Sequence, residues 1–143
     1  MIMIQKKNFS KQGKQNRAAG ARFELKVRKD LESQGYVVSK WMNNVSFSDG
    51  KGEIVPAKRK YNPFLRALSV GTGFPDFICF KINKRNILGV EVKRRGYLSK
   101  DEKAKCRFYL RKKVFSRIWI AKAVKDGRKI NIEYMDFKKK YGL

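Results

Sequence analysis

The chain has no histidine. Imidazole-based acid–base catalysis, His-dependent nucleases and His-containing metal sites are therefore excluded. Cys79 and Cys106 are the only cysteines, too few for a structural zinc site. Each lies in an apolar neighbourhood, which reads as a buried, reduced thiol in an intracellular and cytoplasmic protein. Long apolar runs are missing too. None approaches the roughly 20 residues of a membrane-spanning helix, and the start of the chain, Met1 to Lys7, lacks the apolar centre of a signal peptide. Acids are scarce, with 12 Asp and Glu against 36 Lys and Arg.

What remains is an apolar core with a large excess of positive charge. The 143 residues suit one domain, and 42% of them are apolar. A net charge of +24 exceeds what solubility requires. It implies a polyanionic partner, and without a membrane segment that partner is expected to be nucleic acid.

Residues 1–16 carry basic and polar side chains with little apolar pattern and read as a flexible cationic arm. From residue 17 the pattern is helical: Phe23, Val27 and Leu31 recur on one stripe, and Gly35 is a natural stop. Residues 36–42 read as a strand. Residues 43–72 form a long insertion or loop, functional or partly disordered, with Lys58, Arg59 and Lys60 beside Tyr61. Two apolar strands follow over 76–82 and 87–93, joined by a turn at Asn83–Asn86. Ser99 and Glu102 have capping-box spacing and start a basic helix to about residue 113. A buried strand over 114–124 and the turn Lys125–Arg128 lead into a last strand over 129–134. The domain is expected to span 17–137, with a second basic tail over 138–143. This order of elements gives an α/β fold, a sheet with helices packed on it.

The scarce acids are informative where strands carry them. Asp76 opens one apolar strand in Gly73-Phe74-Pro75-Asp76. Glu91 stands two positions before Lys93 on the next, in Gly89-Val90-Glu91-Val92-Lys93. Alternation along a strand puts Glu91 and Lys93 on one face. Two carboxylates meeting beside an ammonium make a site for a divalent cation next to a charge-stabilising or proton-transferring group, as phosphodiester hydrolysis requires. Mg²⁺ needs only one or two carboxylates besides water and substrate phosphate. Asp76, Glu91 and the Val92 carbonyl are the expected ligands. Arg94 and Arg95 are expected to lower the pKa of Lys93 by charge repulsion. A same-face Glu91–Lys93 ion pair is the alternative reading.

These motifs resemble the PD-(D/E)XK nuclease superfamily, whose signature is an acid, a hairpin and an E-x-K. The segment from Asn16 to Glu24 is similar to the first helix of archaeal Holliday junction resolvases. The resemblance implies a restriction-endonuclease-like core, a central mixed β-sheet flanked by α-helices. It also implies Mg²⁺ or Mn²⁺ dependence and endonuclease activity on branched DNA as a homodimer of archaeal or viral type. On this basis Glu24, Asp76, Glu91 and Lys93 are the catalytic residues, and Glu24 completes the metal site. Pairing of Glu24 with Arg28 at i+4 is the alternative for that residue. Residues 98–102 resemble the segment after E-x-K in virus-type replication-repair nucleases, where glutamine often stands at the place of Glu102.

Arg17, Lys58, Arg59, Lys60, Arg94, Arg95, Lys100 and Lys103 are the expected DNA contacts. Trp41, Tyr61 and Phe64 are either base-stacking or core aromatics, and Trp119 is core. Other readings are another superfamily nuclease (replication-repair, homing, restriction-like, flap or single-strand specific) or a non-catalytic DNA-binding module.

Overall fold

The computed structural model describes the backbone of residues 2–57, 60–62, 67–69 and 73–143, and the side chains of residues 11–57 and 73–143. A five-stranded mixed sheet carries helices on both faces. The elements positioning the site are α1 (Ile2–Ser33), β1 (Val37–Lys40), β6 (Phe77–Phe80), β7 (Ile87–Val92), α2 (Lys100–Arg111), β8 (Arg117–Asp126), β9 (Lys129–Asp136) and α3 (Phe137–Tyr141). Between β1 and β6 run β2 (Asn43–Ser46) with β3 (Glu53–Pro56), and β4 (Lys60–Asn62) with β5 (Ala67–Ser69).

The central sheet has the order β1-β6-β7-β8-β9. Every neighbouring pair is antiparallel except β7 and β8, which are parallel and connected through α2. A parallel pair needs such a crossover because its connection must return the length of the strand.

Two cores follow from the alternation of side chains along β7. Leu88 and Val90 face α1 and pack with Phe23, Val27, Leu31, Phe77 and Cys79. The apolar stripe read from the sequence is thus the buried stripe of α1. Gly35 ends the helix at φ 95°, a conformation that favours glycine. Tyr134 on β9 ties the helix down by donating to Asp30 Oδ2 at 2.6 Å. The opposite core holds Phe74, Leu98, Cys106, Tyr109, Phe115, Ile118, Ile120 and Phe137. Both thiols are free and buried, and burial pushes them up, Cys79 to about 12 and Cys106 still further.

Several elements differ from the sequence pattern. Residues 2–16, expected as a flexible arm, are helical and continuous with the rest of α1. The segment 43–72, expected as a loop, contains two pairs of short antiparallel strands. In the first, Asn43 pairs with Pro56 and Ser46 with Glu53. Their four-residue strands lack a clear period, so alternation carried no signal. The expected tail begins inside α3, anchored by a fully buried Phe137 and capped by Asp136, whose side chain accepts from the Lys139 amide. One apolar anchor in a run of lysines leaves no repeating pattern to read.

Candidate active site

The register of the β6–β7 hairpin creates the site. Phe77 pairs with Val90, so the residue before β6, Asp76, stands opposite Glu91. The link is reciprocal: the Asp76 amide donates to Glu91 Oε1 at 3.1 Å, and the Val92 amide donates to Asp76 Oδ2 at 2.8 Å. Backbone groups alternate sides along β7. The Lys93 amide donates to the Ala121 carbonyl of β8, so Val92 turns its amide and its carbonyl the other way, toward Asp76.

Asp76 is clamped from behind. Its carbonyl accepts from the Trp41 amide, and the Phe74 amide donates to the Asn43 carbonyl. The Tyr109 hydroxyl donates to the Phe74 carbonyl at 2.7 Å and accepts from Trp41 Nε1 at 3.1 Å. Trp41 is therefore a core residue, in edge contact with Tyr109 and Phe115. Gly73 is required by close approach, because a β-carbon there would lie 1.9 Å from the Trp41 carbonyl oxygen. This explains the glycine before Phe74-Pro75-Asp76.

Burial sets the charge state. Glu91 is 5% exposed, the only buried charged residue type among the described residues. Desolvation, then the charge of Asp76 and a hydrogen bond shared with it, push the Glu91 carboxyl up to about 10. Asp76 is also raised, chiefly by desolvation, against the lowering effect of its hydrogen bonds to Glu91 and the Val92 amide. Both shifts favour keeping a proton on the pair at neutral pH.

Lys93 lies 3.8 Å from Glu91 Oε2 and 2.6 Å from Glu102 Oε2. Burial acts to lower its pKa. The hydrogen bond to Glu102 and the charges of Glu91, Glu102 and Asp76 outweigh it and hold the ammonium above its usual value. Arg94 and Arg95 do not lower this pKa as expected, because those guanidiniums are exposed while the carboxylates are in contact. Glu102 does two things. Its Oε1 accepts from the Ser99 amide at 2.9 Å to complete the capping box, and its Oε2 holds Lys93.

A cavity of about 640 Å³ opens onto this cluster, lined by Gly20, Glu24, Asp76, Val92, Lys93, Arg94, Arg95 and Tyr97. Glu24 reaches it from α1, but its Oε1 is paired with Lys40 Nζ at 2.7 Å. Arg28 binds the Val38 carbonyl at 3.1 Å and Glu32 at 3.9 Å, so it is not the partner of Glu24.

No family model matches the chain, and no curated protein or solved structure matches it significantly.

Among the described residues no group of three or more carboxylate, thiol or imidazole ligands is gathered closely enough to hold a metal ion. Glu24 thus shares the cavity without joining Asp76 and Glu91 in one ligand cluster. The donor set at the sheet end is two carboxylates and the Val92 carbonyl. All are hard oxygens, suited to Mg²⁺ or Mn²⁺ in company with water and a phosphate.

Of the expected DNA contacts, Arg94 and Arg95 line the cavity. Arg17 is exposed on α1 and Lys100 on the first turn of α2. Lys103 lies over the Tyr141 ring at 4.5 Å, drawn into packing of α3 against α2. Lys58 and Arg59 lie outside the described residues, as do Phe64 and the side chains of Lys60 and Tyr61. The sequence reading passed over Lys40 and Tyr97. Lys40 carried no local signal, because its pairing depends on how α1 crosses β1. Tyr97, 73% exposed, stands out as an aromatic side chain left in solvent just after two arginines.

Proposed function

We propose that this chain is a metal-dependent DNA endonuclease hydrolysing phosphodiester bonds, with a restriction-endonuclease-like core. The observation that carries the reading is the reciprocal pairing of Asp76 with Glu91 and Val92 at the end of two strands, opening into a cavity rimmed by Lys93, Arg94 and Arg95. A buried carboxyl pair stripped of favourable solvation is costly, and its Asp76 lines a cavity together with Lys93, Arg94 and Arg95.

Each residue has a role in this reading. Asp76 and Glu91, with the Val92 carbonyl, hold Mg²⁺ or Mn²⁺. Such an ion supplies charge neutralisation and activation of water for attack on phosphorus. Glu91 must release its proton for both carboxylates to serve as anionic ligands. Lys93, kept as an ammonium by Glu102, stabilises negative charge building on the phosphate oxygens. Arg94 and Arg95 place the neighbouring phosphates. Glu24, freed from Lys40, is the further acid of the cavity.

Within this class we assign four-way junction DNA, cut by a homodimer, as the substrate. The support is the similarity of Asn16 to Glu24 to the first helix of the resolvases. A two-fold symmetric enzyme can nick a two-fold symmetric junction in pairs. The test is a panel of end-labelled junction, flap, duplex and single-stranded DNAs incubated with Mg²⁺ or Mn²⁺. Paired nicks in the junction are expected, abolished by Asp76→Asn with DNA affinity retained. Cutting of flaps or single strands in preference would move the protein to another nuclease specificity. Wild-type cleavage by Asp76→Asn would reject the site.

A further inference from the structure

A second cleft lies beside the candidate site. It has a volume of about 370 Å³ and runs between α1 and the β8–β9 hairpin. Its charged lining is Arg22, Lys26, Arg94, Arg128 and Lys129, with no acid among the described residues that line it. In those residues none of these five cations has a carboxylate partner within ion-pair distance. Five unneutralised cations around one cleft repel one another, and they gain from an anion that passes among them.

The topology explains why the cleft is there. β8 runs parallel to β7, with Leu88 paired to Arg117 and Val92 to Ala121. The ladder reaches Ala123, whose amide donates to the Arg94 carbonyl. β8 then continues to Asp126 without β7 beside it, an overhang of about 10 Å at strand rise. The overhang points past the end of the sheet that carries Asp76 and Val92. α1 supplies the facing wall, fastened to the hairpin where Lys26 Nζ donates to the Ile130 carbonyl. Arg94 lines both this cleft and the cavity holding Asp76 and Lys93. One guanidinium therefore links the two.

We infer that the cleft between α1 and the β8–β9 hairpin binds the phosphodiester backbone of the nucleic acid adjoining the reactive phosphate, with Arg22, Arg128 and Lys129 on its walls and Arg94 handing the strand to the site. This inference deepens the nuclease reading and rests on it for the identity of the polyanion. The cleft combines the buried Phe23 and the half-buried Ile130 with five exposed cations. A chain of spaced phosphates with intervening sugars matches that combination.

The experiment measures fluorescence-anisotropy binding of labelled duplex and junction DNA in EDTA, with salt varied between about 50 and 200 mM. The wild-type chain is compared with Arg128→Glu/Lys129→Glu. The reference is Lys84→Glu/Arg85→Glu, the same change of charge at the turn between β6 and β7, at the far end of the sheet. The hairpin variant is expected to bind at least about tenfold more weakly at low salt, with its log–log salt slope shallower by roughly 2, one unit per lost phosphate contact. The reference variant should keep the wild-type slope. Arg22→Gln, on the helix wall, should reduce the slope by about 1 and guards against a hairpin variant that fails to fold. Equal effects of the two double variants, or an unchanged slope in the hairpin and Arg22 variants, would overturn the inference. So would binding to anionic phospholipid vesicles without binding to DNA. Because no metal is present, the result is independent of cleavage. Loss of the slope in a protein that never cuts DNA would keep the cleft and remove the nuclease; cleavage with unaltered slopes would do the reverse.

Discussion

The Asp76–Glu91 pair makes a prediction with an unusual sign: Glu91→Gln stabilises the metal-free protein. An acid whose folded pKa is raised contributes stability that is fully present below its unfolded pKa and is lost as pH rises toward the folded one. For Glu91 that window runs from about 4.5 to about 10. Across it each pH unit costs about 1.4 kcal/mol, so at pH 7 the burial of Glu91 opposes folding by roughly 3 kcal/mol. Glutamine is nearly the same shape and is neutral at every pH. Its oxygen can accept from the Asp76 amide as Glu91 Oε1 does at 3.1 Å, and its amide can donate to the Asp76 carboxylate. Only the weak contact with Lys93, 3.8 Å away, is given up. Near pH 5 the two proteins should be almost equally stable. At pH 7 to 8 the variant should be more stable by on the order of 3 kcal/mol, or about 10 °C in melting temperature. Urea or thermal unfolding in EDTA at several pH values reads this directly. Adding Mn²⁺ should stabilise the wild type and leave the variant unmoved, and DNA cleavage should be lost. Parallel pH–stability curves for the two proteins, or a variant less stable at pH 8, would refute the shared-proton account of the site.

The remaining predictions concern the supports of the site. Glu102→Gln keeps the cap of α2 but removes the anion at 2.6 Å from Lys93. The Lys93 pKa should fall, seen as an earlier alkaline limb in the pH–rate profile or by NMR of the ammonium, and an unmoved limb would separate Lys93 from Glu102. Gly73→Ala should cost roughly 3 kcal/mol and most cleavage activity, since the new methyl meets the Trp41 carbonyl at 1.9 Å and displaces the backbone that presents Asp76. Native stability in that variant would mean the loop yields freely. Tyr134→Phe should cost about 1–2 kcal/mol by leaving Asp30 short of one donor at 2.6 Å, with cleavage unchanged. A loss of activity at full stability would place this contact in the function instead.

The strands that carry the candidate site were legible because alternation is local. Glu91 and Lys93 share a face, Leu88 and Val90 share the other, and both follow from spacing alone. Ser99 and Glu102 announced α2 in the same way. The pairing of 43–46 with 53–56 and of 60–62 with 67–69 was hidden by strands too short to show a period, and α3 by a run of lysines around one buried phenylalanine. Lys93 is the instructive residue. Its sequence neighbours Arg94 and Arg95 argue for a depressed pKa, yet the anion in contact with it is Glu102 on another element, at 2.6 Å.

Sequence by itself determined the composition-level facts: a strongly cationic chain without histidine, an amphipathic helix ending at Gly35, and an acid and an E-x-K placed on adjacent strands. Tertiary structure decided how those groups act. Strand register put Asp76 opposite Glu91, burial raised the pKa of both, the crossover through α2 brought Glu102 onto Lys93, and the overhang of β8 opened a basic cleft beside them. Electrostatic energies depend on distance and desolvation, and only the packed chain fixes either one.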